Sequence, residues 1–219
     1  MPKIGIKKMR NIVPFDQLHQ YAVNASKGME AIYEPRYDYL TYPAAGSTQL
    51  TFFQTPVGSG GTTEANTNMD AAGQLTNPST FLLTAISIDF IPGVNPGTSG
   101  TTTQAPLFLQ DVWAVGSGLA YLKLQIGNKP QLVQGPLYKF ASPFGLDVSG
   151  AAATTVTTDA VTINYAKFGG HVFQVTPMLI PTNQAFNVKL IFPTAIATPS
   201  TTAGRIGVNM HGTLYRSIQ

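Results

Sequence analysis

The segment "FLLTAISIDFIPG", residues 81–93, constrains the fold more than any other part of the chain. Side chains of an extended segment alternate between two faces, and both faces of this one are mostly apolar. The Pro92-Gly93 pair ends the run with a turn signal. A strand that is apolar on both sides lies inside stacked layers or where two subunits meet. We therefore expect Phe90 at a subunit interface, with the second face covered by an N-terminal helix or by a neighbouring copy.

A pattern of strands and turns continues from residue 48 to the end of the sequence. Strands are predicted at 48–54, 80–91, 107–115, 119–127, 129–140, 161–167, 170–180, 184–194 and 204–218. Loops rich in Gly, Thr and Asn are predicted at 55–79, 94–106 and 142–160. About eight to ten strands with long, uneven loops indicate an all-β fold, a single jelly-roll-type two-sheet sandwich over residues 48–219.

The N-terminal region, residues 1–47, is predicted to hold a basic arm, a short helix and a Tyr-rich connector. Residues 1–10 contain four basic residues and no acidic one: Lys3, Lys7, Lys8 and Arg10. Such an arm binds nucleic acid by counterion release or an anionic membrane surface; a solvated tail is the alternative. The arm is not a signal peptide, because no apolar core follows it. We therefore expect the protein to be made and used in the cytoplasm, or released by lysis.

Two features after the arm indicate contacts with other chains. Apolar residues over 15–27, including Phe15 and Leu18, have helical spacing, and this helix is predicted to pack under a sheet or against a neighbouring copy. The connector contains aromatic and basic residues that are favoured in interfaces: Tyr33, Arg36, Tyr37 and Tyr39. Stacking of nucleic-acid bases on these tyrosines is a second interpretation.

The composition favours a surface that is covered by other molecules. Charged residues make up 11% of the chain, against about 25% in ordinary soluble domains, and a monomer usually depends on charge for solubility. A secreted Thr-rich β protein is the alternative interpretation. The chain contains no cysteine, which excludes disulfides, cysteine-ligated zinc and thiol catalysis.

No catalytic, cofactor or metal motif is apparent in the sequence, so no enzyme activity and no small-molecule substrate are predicted. The acidic residues are scattered, without the convergent pair that a glycosidase needs. The histidines lack metal-ligand spacing: His19, His171 and His211. Four oxygen-bearing residues in one loop could ligate calcium, although Asx turns explain them better: Glu64, Asn66, Asn68 and Asp70.

Three segments resemble small jelly-roll coat proteins of tailless bacterial viruses. They are "TNMDAAGQLTNPSTFLLTAISIDF" (67–90), "LKLQIGNKPQLVQGPLYKF" (122–140) and the C-terminal region 180–219. The resemblance implies a major capsid protein that self-assembles into an icosahedral shell around the genome, with or without an internal membrane. It implies trimers or other capsomers, contacts with other capsid proteins, an arm that faces the genome or lipid, and location in the virion. It implies no catalytic residue.

Two other functional classes stay open. One is a carbohydrate-binding or adhesin β-sandwich, such as a viral fibre or spike domain, which would use exposed aromatic residues. The chain has a single tryptophan, Trp113, and the pattern puts it in a strand. The other class is a hydrolase on a β-sandwich, which would need two carboxylates about 5–9.5 Å apart.

Overall fold

The protein forms two antiparallel β-sheets packed face to face as a sandwich. The computed structural model describes residues 29–94, 104–117, 119–127, 129–140, 149–153, 160–164 and 172–217. The predicted basic arm and the predicted helix over 15–27 lie outside these residues.

Residues 29–126 supply five of the strands and the longer helix. In chain order the elements are β1 (Met29–Tyr33), β2 (Arg36–Tyr42), β3 (Gln49–Phe52), β4 (Thr80–Ile91), α1 (Gln104–Ser117) and β5 (Tyr121–Ile126). The chain continues with β6 (Lys129–Pro136), a 3₁₀-helix (Leu137–Phe140), β7 (Ser149–Ala153), β8 (Ala160–Asn164), β9 (Phe173–Ile180), β10 (Phe186–Ile191) and β11 (Gly204–Ser217).

The strands pair in a nested order. In the first sheet β11 lies between β4 and an edge formed by β1 and β2, and β9 pairs with the other side of β4. The second sheet has the order β3-β10-β5-β6. Thus β2 pairs with β11 in the first sheet and β3 with β10 in the second, while β4 pairs with β9 in the first and β5 with β6 in the second. β7 and β8 form a separate hairpin.

The core lies between the two sheets and is built from alternate residues of their strands. In β10, for example, Phe186, Val188 and Leu190 are buried, as their period-two spacing predicts. The ring of Tyr42 packs edge-on against Phe90 at 5.5 Å between centroids. Each large apolar side chain that is fully buried contributes about 1.5–3 kcal/mol, so this core is the main source of stability.

A β-bulge in β4 explains the two apolar faces of the 81–93 segment. Leu83 pairs with Gly212 and Ala85 with His211, so Thr84 is an extra residue. An extra residue switches the face on which the following side chains lie. Residues on both sides of the bulge therefore reach the same core: Phe81, Leu83, Ile86, Ile88 and Phe90.

Little of the predicted second apolar face remains on the outside of β4. Leu82 packs there in a small cluster with Tyr215, Leu179 and Met29. Ala85 is also buried, and Ile91 is exposed at the end of the strand. The expectation of a continuous outer apolar face was therefore wrong, because the sequence pattern alone does not reveal a bulge.

The predicted strand over 107–115 was wrong, because this segment belongs to α1. Phe108, Val112 and Val115 are spaced four and three residues apart, and all three are buried. This spacing places them on one face of a helix. The segment lacks the strict alternation that a half-buried strand shows.

Asp111 fixes α1 to the loop that precedes β11. This residue is fully buried, and its carboxylate accepts hydrogen bonds from the backbone N–H and the hydroxyl of Ser200. A buried charge is tolerated when it is hydrogen-bonded. The pair therefore joins the helix to this loop.

Two segments that were predicted without strands contribute them. The Tyr-rich connector forms β1 and β2, interrupted at Glu34-Pro35, where proline disfavours continued regular pairing. The predicted loop over 142–160 contains β7. Within the described residues the remaining predicted strands are confirmed, except that the last four residues of 129–140 form the 3₁₀-helix, and β11 is a single long strand over Gly204–Ser217.

Candidate functional site

The outer face of the first sheet carries a network of polar side chains on β2, β4 and β11. We call this surface the tyrosine face and define it by Tyr37, Tyr39, Ser87, Asp89, Arg205, Asn209 and His211. Pairing of the three strands brings these residues together from distant parts of the sequence. They occupy the outward positions, while their strand neighbours point into the core.

Asp89 is the centre of this network. Its Oδ2 accepts hydrogen bonds from the Tyr39 hydroxyl at 2.7 Å and from the Asn209 amide at 2.6 Å. Gly207 lies between Tyr39 and Asp89 in the sheet register, and a Cβ there would overlap the tyrosine ring. Glycine at this position lets Tyr39 reach across β11.

The environment of Tyr39 keeps its hydroxyl protonated. Burial, followed by the hydrogen bond to Asp89, raises the pKa of Tyr39 to about 12. The guanidinium carbon of Arg205 lies 5.0 Å from the centroid of the tyrosine ring, a cation–π arrangement. Tyrosine and arginine, both favoured in interfaces, are thus held in fixed positions on this face.

His211 and Ser87 form a second contact of the tyrosine face. The His211 Nε2 and the Ser87 hydroxyl oxygen are 2.9 Å apart, and the Thr84 hydroxyl donates to the carbonyl oxygen of His211. Burial lowers the pKa of His211, and the negative charge of Asp89 partly opposes this shift. The ring is therefore neutral at pH 7.

The Ser87, His211 and Asp89 side chains do not have the geometry of a hydrolytic triad. In a triad the carboxylate orients the histidine, whereas Asp89 here is bound to Tyr39 and Asn209. Ser87 is only 2% exposed, so a substrate carbonyl has no approach to its hydroxyl. We assign these residues to the packing of the face.

The loop over 55–79 covers the free edge of β2. The backbone N–H of Tyr39 donates to the carbonyl of Asn66 at 2.7 Å, and the Thr67 hydroxyl donates to the carbonyl of Tyr37 at 3.0 Å. The backbone N–H of Tyr37 donates to the side-chain oxygen of Asn68. An uncovered edge strand would pair with other chains, so the loop protects this edge.

The same hydrogen bonds bear on the calcium interpretation of this loop. The side-chain oxygen of Asn66 accepts from the backbone N–H and the hydroxyl of Thr63, and that of Asn68 is bound to β2. Neither bond is an Asx turn, in which the side-chain oxygen binds a backbone N–H two residues further along the chain, so the Asx turns that the sequence favoured are not what occupies these two amide oxygens. In the described ranges no three His, Asp or Glu side chains are grouped as metal ligands would be.

Two charged side chains of β2 point inward, at the edge of the core. Asp38 is 3% exposed and accepts a hydrogen bond from the backbone N–H of Phe53. Burial raises the pKa of Asp38, although its hydrogen bonds oppose the shift. Arg36 donates to the carbonyl of Asn68 and pairs with Glu34 at 3.2 Å. These groups join β2 to the loop and to the end of β3.

The predicted interface residues thus occupy different environments. Tyr33 is 69% exposed at the end of β1, and Tyr37 and Tyr39 lie half-buried on the tyrosine face. Arg36 and Phe90 are buried, so they are not part of the free surface of this chain. The other predicted contact residues lie outside the described residues: Lys3, Lys7, Lys8, Arg10, Phe15 and Leu18.

The outer face of the second sheet carries a line of polar residues that we call the lysine row. Thr51, Lys189, Lys123 and Gln134 follow one another across β3, β10, β5 and β6. Lys123 and Lys189 are direct cross-strand partners, an arrangement in which like charges destabilise a sheet. None of the four strands contains an acidic residue.

Three large apolar side chains are exposed beside the 3₁₀-helix and α1. They are Trp113 (75%), Leu119 (82%) and Tyr138 (67%). The backbone N–H of Leu137 donates to the carbonyl of Ala120 at 2.8 Å. The next residues along the chain, Tyr138 and Leu119, are therefore neighbours in the backbone. The sequence predicted Trp113 within a strand; it instead lies on the exposed side of α1.

Comparisons with known proteins gave no relative for this chain: no family model matches it, and the search of curated proteins found no match. Neither helix in the described part of the chain is long and apolar enough to cross a membrane.

Sequence reasoning missed most of the tyrosine face. Ser87 and Asp89 in β4 are two residues apart, and Arg205, Asn209 and His211 in β11 are four and two residues apart. This spacing places them on one side of a strand. The signal was present in each strand, but the contact between the strands required their register.

Proposed function

We propose that the sandwich is a jelly roll and that the protein is a structural virion component, a major capsid protein that assembles into an icosahedral shell around a viral genome. The nested strand order carries the proposal. A jelly roll has eight strands in two sheets and two Greek keys. Leaving out β1 and the β7–β8 hairpin, eight strands remain in the two sheets.

The pairing of these eight strands is the one that a rolled-up hairpin produces. Such a hairpin pairs the first strand with the last and continues inward, as β2–β11, β3–β10, β4–β9 and β5–β6 do. Rolling then brings β4 beside β11 and β5 beside β10, and both of these pairs are present. This agreement supports the jelly-roll topology over an up-and-down arrangement.

The capsid role is supported by features beyond the fold, because a fold alone does not determine function. The sequence resembles coat proteins of tailless bacterial viruses, its charged content is low, and its two sheets present different polar surfaces to neighbouring molecules. Closed symmetry multiplies contacts that are individually weak. In this proposal the basic residues 1–10 face the genome or an internal membrane, and the mature location is the virion.

Expression of the full chain tests this proposal. We expect trimers, rings or shells by light scattering and negative-stain electron microscopy. A variant that lacks residues 1–12 should assemble but lose copurifying nucleic acid or lipid. A monomer at high protein concentration, in both forms and at all salt concentrations, would contradict the capsid role.

A binding module is the second candidate, and the exposure of Trp113 favours it. Carbohydrate-binding and adhesin domains use exposed aromatic rings, and jelly rolls also occur among lectins. Binding of the full chain to a glycan array, abolished by Trp113→Ala and retained by Tyr33→Ala, would support this function. Absence of binding together with assembly would support the capsid role.

A further inference from the structure

The lysine row presents positive charge that no described residue neutralises. Lys123 and Lys189 make no ion pair within the described ranges; the Lys123 ammonium lies 5.7 Å from the ring centroid of Tyr121. The flanking outward residues on these strands are uncharged, namely Gln49, Thr51, Gln125, Asn187 and Gln134. Two like charges held side by side cost stability, so an anionic partner would relieve that cost.

The matching negative charge lies on the loop over 55–79. This loop contains Glu64 and Asp70 and no basic residue, and both side chains are exposed without an ion pair among the described residues. Two half-buried acids differ, because Glu30 is paired with Arg216 and Glu34 with Arg36. The two unpaired acids therefore lie on the loop and the two lysines on the opposite sheet, although Arg205, which has no ion pair among the described residues, also reaches the loop at the carbonyl of Ala65.

The loop holds its acidic residues in place. The Tyr37 hydroxyl donates to the carbonyl of Glu64 at 2.6 Å, and the guanidinium of Arg205 donates to the carbonyl of Ala65 at 2.6 Å. Met69, next to Asp70, is buried in the core. A surface that is fixed before binding loses less conformational entropy on association.

We propose that the lysine row of one copy binds the acidic loop, Glu64 and Asp70, of a second copy. This inference rests on the proposed capsid function and names two of the surfaces that would meet. The contact is head-to-tail, since it joins different surfaces, and such contacts form rings when the rotation closes. The opposite charge of the two surfaces favours this partner, and each copy carries both surfaces.

Charge reversal of each surface tests the contact. The variants are Lys123→Glu with Lys189→Glu, and Glu64→Lys with Asp70→Lys, each in the full chain. The first keeps two like charges side by side, so its fold should be as stable as the original. Lys139→Glu is the matched control, because Lys139 is exposed on the 3₁₀-helix outside the row. Circular dichroism and urea unfolding check that each variant is folded.

Association is measured by analytical ultracentrifugation at low salt. We expect each double variant alone to require about tenfold or more protein for half-association, since juxtaposed like charges oppose binding. An equal mixture of the two should associate, because the acidic row of one fits the basic loop of the other. The quadruple variant should associate like the original chain, and the control should be unchanged.

The outcomes separate this contact from the capsid function. If the original chain assembles and the reversals leave association unchanged, the contact is overturned and the capsid proposal is unaffected. If the row variant alone weakens association and neither the mixture nor the quadruple variant restores it, the row binds another anion, such as nucleic acid or lipid, and the contact is again overturned. A monomeric original chain would overturn both proposals.

Discussion

The outward polar groups of the first sheet are hydrogen-bonded to one another, whereas the two lysines on the second sheet have no ion pair among the described residues. On the first sheet, Asp89 is bound to Tyr39 and Asn209, and Ser87 to His211. On the second sheet, Lys123 faces Lys189 without a counter-charge among the described residues. The first face stabilises the chain by itself, whereas the second is less stable alone and open to a partner. The difference indicates which substitutions should weaken the fold and which should strengthen it.

The largest effect is expected where the first sheet bends. At Gly212, beside the bulge, a Cβ would overlap the carbonyl oxygen of Leu82. We expect Gly212→Ala to lower the free energy of unfolding by about 3 kcal/mol, since overpacking costs about 1–3 kcal/mol. Urea unfolding measures this loss of unfolding free energy. Gly58→Ala is the comparison: Gly58 has a positive φ but open space around it, so only about 1 kcal/mol of backbone strain is expected. Equal losses would contradict a special role for the bulge.

Removal of one hydroxyl tests whether the tyrosine face supports itself. Tyr39→Phe leaves Asp89 with Asn209 as its side-chain donor, and we expect a loss of about 1–2 kcal/mol in unfolding free energy. Tyr37→Phe removes a hydroxyl whose bond to the Glu64 carbonyl is exposed, so its loss should be below about 0.5 kcal/mol. If both variants unfold at the same urea concentration, the network around Asp89 does not stabilise the sheet.

A gain in stability is expected on the second sheet. Lys189→Gln removes the repulsion from Lys123 and should raise the free energy of unfolding by about 0.5 kcal/mol. The gain should shrink in high salt, which screens surface charges. The gain is measured by thermal unfolding at two salt concentrations, at a protein concentration too low for association. Lys139→Gln, outside the row, is the control. A loss of stability in Lys189→Gln would mean that the row is already neutralised.

The smallest effect concerns pH and the tyrosine face. Because burial lowers the pKa of His211 below 6.5, the unfolded chain binds the proton more tightly than the folded chain. The contribution of His211 to stability is therefore complete above about pH 6.5 and is lost as the pH falls toward its folded pKa. We expect His211→Gln to reduce the fall in urea midpoint between pH 7 and pH 5; an unchanged slope would contradict this.

Local patterns in the sequence predicted most of the strands but assigned the segment of α1 to a strand. β5, β10 and β11 were predictable because apolar residues alternate along them. The helix α1 was not, because "LFLQDVWAV" is apolar enough to suit either structure and its burial depends on Asp111 meeting Ser200, 89 positions away. β1 and β2 were missed because their charged residues have distant partners: Glu30 pairs with Arg216 of β11, and Asp38 is bound by Phe53 and by Thr67 of the loop.

The tyrosine face shows a further reason why sequence reasoning falls short. Asp89 and Asn209 are 120 positions apart, and their contact depends on a register that the bulge at Thr84 shifts. A displacement of one residue in a strand exchanges its two faces. The identities of the outward residues were therefore visible in the sequence, but their partners were not.

The position of β11 also affects when the protein becomes folded. β11 pairs with β1, β2 and β4, yet it is the last described strand in chain order. During synthesis β1 and β2 therefore have no strand partner until β11 emerges, whereas β4 and β9 can already pair, and pairings so distant in sequence form slowly. The tyrosine face therefore exists only once β11 has joined both β2 and β4.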